Sequence, residues 1–150
     1  MTGGSKMSVK QISIFMENKP GALLAMTTVL AENRIDMRAF TLAETSDFGI
    51  ARIIVDDVYK TCQVLKDMGF VYSLSNVLGV VIPDVPGGLN QVLQILTEED
   101  VNVEYMYAFQ GGRSISGAYM IFKVANENKA ANVLTGRGIK LVDQEELETI

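Results

Sequence analysis

The chain has 150 residues, 48% of them hydrophobic and 21% charged, a balance that fits a folded globular protein and excludes a disordered one. Its 13 basic against 18 acidic residues disfavour a nucleic-acid partner, because displacing phosphate counterions needs a basic surface. It has no histidine and one cysteine, Cys62, which removes histidine-based triads, the commonest zinc ligand and any internal disulfide together.

Residues 1–8 read as a flexible leader, with Met7 as a second start, and carry no secretion signal. The longest apolar stretches, 77–83 and 118–122, are too short to span a bilayer, so a cytoplasmic protein without a membrane partner is expected. Ile12, Ile14 and Met16 alternate with Ser13 and Phe15, the period of a strand. Pro20 is expected at the first position of a helix running to Glu32, where its missing N–H costs nothing. Leu23, Met26, Thr27 and Leu30 form the inner stripe of that helix. Residues 36–44 and 49–55 follow as two strands joined by a polar turn at Ser46 and Asp47. A second helix covers 57–68, with Val58, Cys62, Leu65 and Met68 inward, so the thiol reads as buried and inert. Gly69 ends it as a left-handed cap, and 70–75 is a fourth strand.

The pattern then starts again. A shift of 66 lays Lys19-Pro20-Gly21-Ala22-Leu23 on Val85-Pro86-Gly87-Gly88-Leu89, and Asp36 on Asn102. The shift grows to 68 at Gly49 and Gly117, then to 69 at Gly69 and Gly138, the drift that short loop insertions produce. The second copy reads as a strand over 77–82, a helix over 86–99, a hairpin of 102–110 and 116–124, a helix over 126–135 and a strand over 139–142. The glycine-rich 111–117 is a hairpin turn, since it lacks the lysine–serine ending of a phosphate cradle and precedes no helix. Residues 144–150 read as an acidic tail that is solvated or adds one helical turn.

This order predicts an α+β fold: two ferredoxin-like βαββαβ modules, 9–75 and 77–143, side by side. Together they would form an eight-stranded antiparallel sheet with helices on one face, the modules joined by a short linker at 75–77. Tyr105, Tyr107 and Phe109 share one strand face. Large apolar faces rarely stay exposed, so a homodimer through the face opposite the helices is expected.

Met16-Glu17-Asn18-Lys19-Pro20-Gly21-Ala22-Leu23 resembles the opening motif of the ACT family of amino-acid-binding regulatory domains, and Ile82-Pro83-Asp84-Val85-Pro86-Gly87-Gly88-Leu89 is a second copy. The resemblance covers about residues 9–143 and implies a stand-alone tandem ACT protein with no catalytic domain, catalytic residues, cofactor or metal. It further implies a free amino acid bound at the interface between modules, and a metabolic enzyme as a regulated partner. The ligand would touch Asn18, Lys19, Pro20, Gly21, Ala22 and Leu23 in the first loop. In the second loop the positions are Asp84, Val85, Pro86, Gly87, Gly88 and Leu89. The polar residues Asp36 and Asn102, which open the second strand of each copy, would complete the contacts, each meeting a ligand held by the loop of the neighbouring module. Asp at 36 and 84 departs from a frequent Asn, and Gly88 replaces a small side chain, which sets the two sites apart.

The residues give this site a physical basis. The first turn of a helix leaves amide hydrogens unpaired and carries partial positive charge, a natural seat for an α-carboxylate. Asn18, Asp84, Asp36 and Asn102 offer acceptors to an α-ammonium, all four read as lying on one edge of a module. The bland readings stay open: Pro20 and Pro86 as helix starts, and Asn18 and Asp84 as helix caps. A ligand-free assembly module and a small enzyme on the same scaffold are the alternatives in function.

Overall fold

A computed structural model describes residues 7–109 and 118–149. Residues 1–6 of the expected leader, and the glycine-rich 111–117, lie outside the described residues. The chain divides into two compact units: Lys10–Ser75, and a second that joins Met7 through Val9 to the residues from Asn76 onward.

The first unit holds β1 (Ser8–Glu17), α1 (Ala22–Glu32), β2 (Met37–Glu44), β3 (Phe48–Val55), α2 (Val58–Asp67) and the start of β4 (Val71–Ile82). β3 lies antiparallel between β1 and β2, with Ile14 opposite Ala51 and Glu44 opposite Gly49. β1 also pairs with β4, which gives the strand order β4-β1-β3-β2. Every second residue of the inner strands faces the helices. Ile12, Ile14, Ala51, Ile53 and Val55 thus meet Met26, Leu30 and Leu65 in one apolar core. Met68, expected inward, is 60% exposed, because it is the C-cap of α2 and the chain turns away there. Cys62 is half-buried, and burial raises its thiol pKa while a hydrogen bond with Tyr72 lowers it by less.

The second unit repeats the plan with the rest of β4, α3 (Gly88–Glu98), β5 (Val103–Phe109), β6 (Ala118–Val124), α4 (Glu127–Gly136), β7 (Leu141–Val142) and α5 (Gln144–Thr149). Its antiparallel order is β7-β4-β6-β5. Leu78, Val80, Phe122 and Val124 pack against Val92, Leu96 and Leu134 in its core. Met7 packs on this core too, and Ser8 already belongs to β1. Even the irregularities recur. The register slips at Arg38 in β2 and at Glu104 in β5, matching positions of the two copies.

All four long helices end alike. After α2, Gly69 and Phe70 donate to the carbonyls of Lys66 and Leu65 at 3.1 and 2.9 Å, a Schellman motif with Gly69 left-handed at φ 80°. Gly138 does the same after α4, whereas Arg34 and Asp100 hold the left-handed position after α1 and α3, at φ 56° and 58°.

Three expectations need correcting. Among the described residues there are seven strands instead of eight, because 70–75 and 77–82 run on as the single strand β4. Ser73, Ser75 and Asn76 gave that stretch the look of a linker, but ladder bonds use backbone groups, so polar side chains need not interrupt them. Of the two readings of the C-terminal segment, the helical one holds, as α5, and the solvated one does not. Asp143 and Glu146 accept from each other's backbone N–H at 2.8 and 3.2 Å, a capping box that starts α5, and Leu147 is fully buried. Finally, the aromatic face is not open. Tyr107, Phe109, Tyr119 and Ile121 are all buried within the single chain, with Phe109 stacked on Tyr119 at 5.4 Å.

Candidate functional site

The two Pro–Gly loops share one hydrogen-bond pattern. In the first, the Lys19 amide donates to the Glu17 carbonyl at 3.0 Å around Asn18, and the Ala22 amide donates to the Lys19 carbonyl at 3.2 Å around Pro20 and Gly21. In the second, Val85 donates to Pro83 at 2.9 Å around Asp84, and Gly88 donates to Val85 at 3.0 Å around Pro86 and Gly87. Gly21 and Gly87 are left-handed, at φ 87° and 85°. Proline followed by a positive-φ glycine, closed by an i to i+3 bond, is a type II turn. Pro20 and Pro86 therefore sit in turns and not at the first helical position, and the helices start two residues later, at Ala22 and Gly88.

These turns leave the helix ends bare. Gly21 and Gly87 are the N-caps, and no side chain caps either helix. The next amides, of Leu23 and Leu24 in α1 and of Leu89 and Asn90 in α3, have no acceptor inside the helix. The other two long helices differ. Asp57 caps α2 by accepting from the Lys60 amide, and Asn126 caps α4 by accepting from the Lys129 amide, both at 3.0 Å. Asn18 and Asp84 cap nothing. Asn18 instead ties its loop to the β2–β3 turn, donating from its side chain to Glu44 Oε2 at 2.9 Å and to the Thr45 carbonyl at 3.1 Å.

The family described as "ACT domain pair" matches residues 7–150. This chain belongs to that family. Protein BT0572 from Bacteroides thetaiotaomicron, a solved structure, is 38% identical to this ACT pair with a TM-score of 0.88, over 96% of this chain and 98% of that one. The regulatory subunit of aspartate kinase from Thermus thermophilus, in a ligand-free form, is 15% identical with a TM-score of 0.61, over 91% of this chain and 98% of that one. The corresponding subunit from Thermus flavus is also 15% identical, with a TM-score of 0.59 over 86% and 90%. At that identity the Thermus structures share the fold. No curated protein matches the chain.

In the first module of the ACT pair, two recesses adjoin the Pro–Gly loop. The smaller, about 50 Å³, is lined by Asn18, Leu23, Glu44 and Gly49 among others. The larger, about 420 Å³, opens between Phe15, Phe48, Phe70 and Val71. Both touch Met16, Glu17, Lys19 and Ala22, so the loop forms their common wall. Asn18, Lys19, Pro20 and Gly21 are exposed, while Ala22 and Leu23 are half-buried. Charge of both signs is at hand, with Lys19 Nζ 3.7 Å from the Glu17 carboxylate.

The second loop is tighter at one point. Asp84, Val85, Pro86 and Gly87 are exposed and Leu89 is half-buried, but Gly88 is buried. A Cβ there would run into the Pro83 carbonyl, which explains glycine where the first copy has Ala22.

Asp36 and Asn102 do not join the loops of their own modules. Each sits past the far end of its helix, and the eleven residues of α1 alone span about 16 Å. The Asp36 amide donates to the Asp56 carboxylate and its carbonyl accepts from the Asp56 amide, both at 3.1 Å; the Asp36 carboxylate lies 3.2 Å from Arg38, and the Asn102 carbonyl accepts from the Ala125 amide at 3.1 Å. The expectation that all four polar residues share one edge of a module is therefore wrong: β2 runs back along the helix, so its start lies opposite the loop. Sequence reasoning also missed Glu17, Glu44, Phe48 and Phe70. The strand register held a signal for Glu44, because a hairpin returning along α1 brings its turn back to the Pro–Gly loop.

Among the described residues, no group of three or more acidic, cysteine or histidine side chains is placed to hold a metal, and no helix is long and apolar enough to cross a membrane.

Proposed function

We propose that this ACT pair is a non-catalytic, cytoplasmic regulatory protein that binds a free amino acid at its Pro–Gly loops. One observation carries the reading. The two helices that follow these loops start without a side-chain cap, while the other two long helices are each capped by an Asp or Asn. A glycine cap costs only about a few tenths of a kcal/mol relative to Asp or Asn, but it leaves the first-turn amides without a side-chain acceptor, which favours a ligand carboxylate as the group that satisfies them. Gly21 and Gly87 carry no side chain to block that approach. In the first module, Glu17 and Glu44 beside the loop suit an α-ammonium.

Membership of the ACT pair family supports a regulatory role, in which the bound amino acid would signal to a separate metabolic enzyme. The description of the Thermus neighbours as regulatory subunits of aspartate kinase is consistent with that role.

Thermal unfolding against each of the twenty amino acids tests the proposal. A ligand present at a hundredfold excess over its Kd adds about 2.7 kcal/mol, a rise of several degrees in Tm. An unchanged Tm with all twenty at millimolar concentration would remove the amino-acid reading.

A further inference from the structure

Resting on that reading, we propose that the first module selects amino acids with a large apolar side chain, aromatic or long aliphatic, held in the recess between Phe15, Phe48, Phe70 and Val71. That recess measures about 420 Å³, within the range of small-molecule sites. The only charged residues that line it, Glu17 and Lys19, are shared with the smaller recess of about 50 Å³. The division suits an amino acid. Its zwitterionic head meets Glu17, Lys19, Glu44 and the bare α1 amides, and its side chain extends across Ala22 into the apolar space.

The exposure of these walls is a second argument. Phe15, Phe48 and Val71 are 41, 61 and 66% exposed, a cluster of large apolar groups facing water. The duplicated fold provides an internal control. On the repeat alignment the second copy has Gln91 where the first has Ala25, and Lys140 where it has Val71. The scaffold therefore tolerates polar residues at both positions, and the first copy carries apolar ones at the recess. A glycine or serine ligand would leave the rings wet, whereas each buried methylene adds roughly fourfold in affinity.

Isothermal titration of the full chain with phenylalanine, leucine and methionine, beside glycine, serine, aspartate and lysine, reads the selectivity. The expected result is at least tenfold tighter binding of the first group. Ala25→Trp fills the recess from an exposed helical position, and Val71→Lys brings in the second copy's residue; each should weaken leucine binding tenfold or more with the ligand-free Tm unchanged. Gln91→Trp, at the matching position of the second copy, should leave the leucine affinity of the first module as it was. Tighter binding of small or charged amino acids would overturn the selectivity and leave the sensor reading standing. The same holds if leucine binds the Ala25→Trp and Val71→Lys variants as well as the parent. Binding of none of the seven overturns this proposal, and the full set of twenty then decides the sensor reading.

Discussion

The side-chain amide of Asn18 lies 2.9 Å from the carboxylate of Glu44, so the Pro–Gly loop is pinned to the turn between β2 and β3. A hydrogen bond to a charged acceptor is worth about 1.5–3 kcal/mol, less where water competes, as at this exposed pair. Asn18→Ala should cost about 1 kcal/mol or less in urea unfolding. Its larger effect should be on ligand affinity, because the loop would lose its anchor. Equal affinity in the variant and the parent would show that the pin has no role in binding.

Gly88 and Gly136 should respond oppositely to alanine. A methyl at Gly88 meets the Pro83 carbonyl, which is backbone and cannot swing aside, so Gly88→Ala should destabilise by about 1–3 kcal/mol. Gly136 closes α4 with open space where its Cβ would stand, and Gly136→Ala should stabilise by about 0.5–1 kcal/mol. Chemical denaturation of the two variants checks both signs.

Arg34 and Asp100 occupy left-handed positions that cost a side-chain-bearing residue about 1 kcal/mol. Arg34→Gly and Asp100→Gly should each raise Tm by about 2–4 °C, as the matching caps Gly69 and Gly138 suggest. A lowered Tm would mean that the side chains make contacts outweighing the backbone strain.

Alkaline pH should weaken the fold. Burial raises the pKa of the Tyr119 phenol, with the nearby Glu146 carboxylate adding to it, and burial likewise raises that of the Cys62 thiol. Groups with raised pKa keep their protons in the folded state after the unfolded chain has released them. Their contribution is complete below the ordinary thiol and phenol pKa values and is lost as pH rises through the folded ones. Tyr119→Phe should flatten the phenol's share of that decline. It should also be neutral or stabilising at pH 7, since the hydroxyl is buried with no partner among the described residues. A Tyr119→Phe curve that falls as steeply as the parent's would contradict the assignment.

The repeat, the order of elements and both loops could be read from the sequence because each rests on local pattern. Pro20-Gly21 was misread in detail because proline suits both a helix start and the second residue of a turn; only the left-handed Gly21 decides between them. The recess was out of reach. Phe15, Phe48 and Phe70 come from three separated segments, and only the β1–β3 ladder and the turn after α2 bring them to one place. Leu147 was hidden among acidic neighbours, where one apolar residue has no periodicity to announce it.

The unit that claims Met7, Ser8 and Val9 also contains everything from Asn76 to the C-terminal helix. Met7 through Val9 therefore find their neighbours only once the residues from Asn76 onward have been made. Cutting the gene at the midpoint of the duplication would separate this unit from a piece of itself, so the two copies, alike as they are, cannot be expressed as two clean halves.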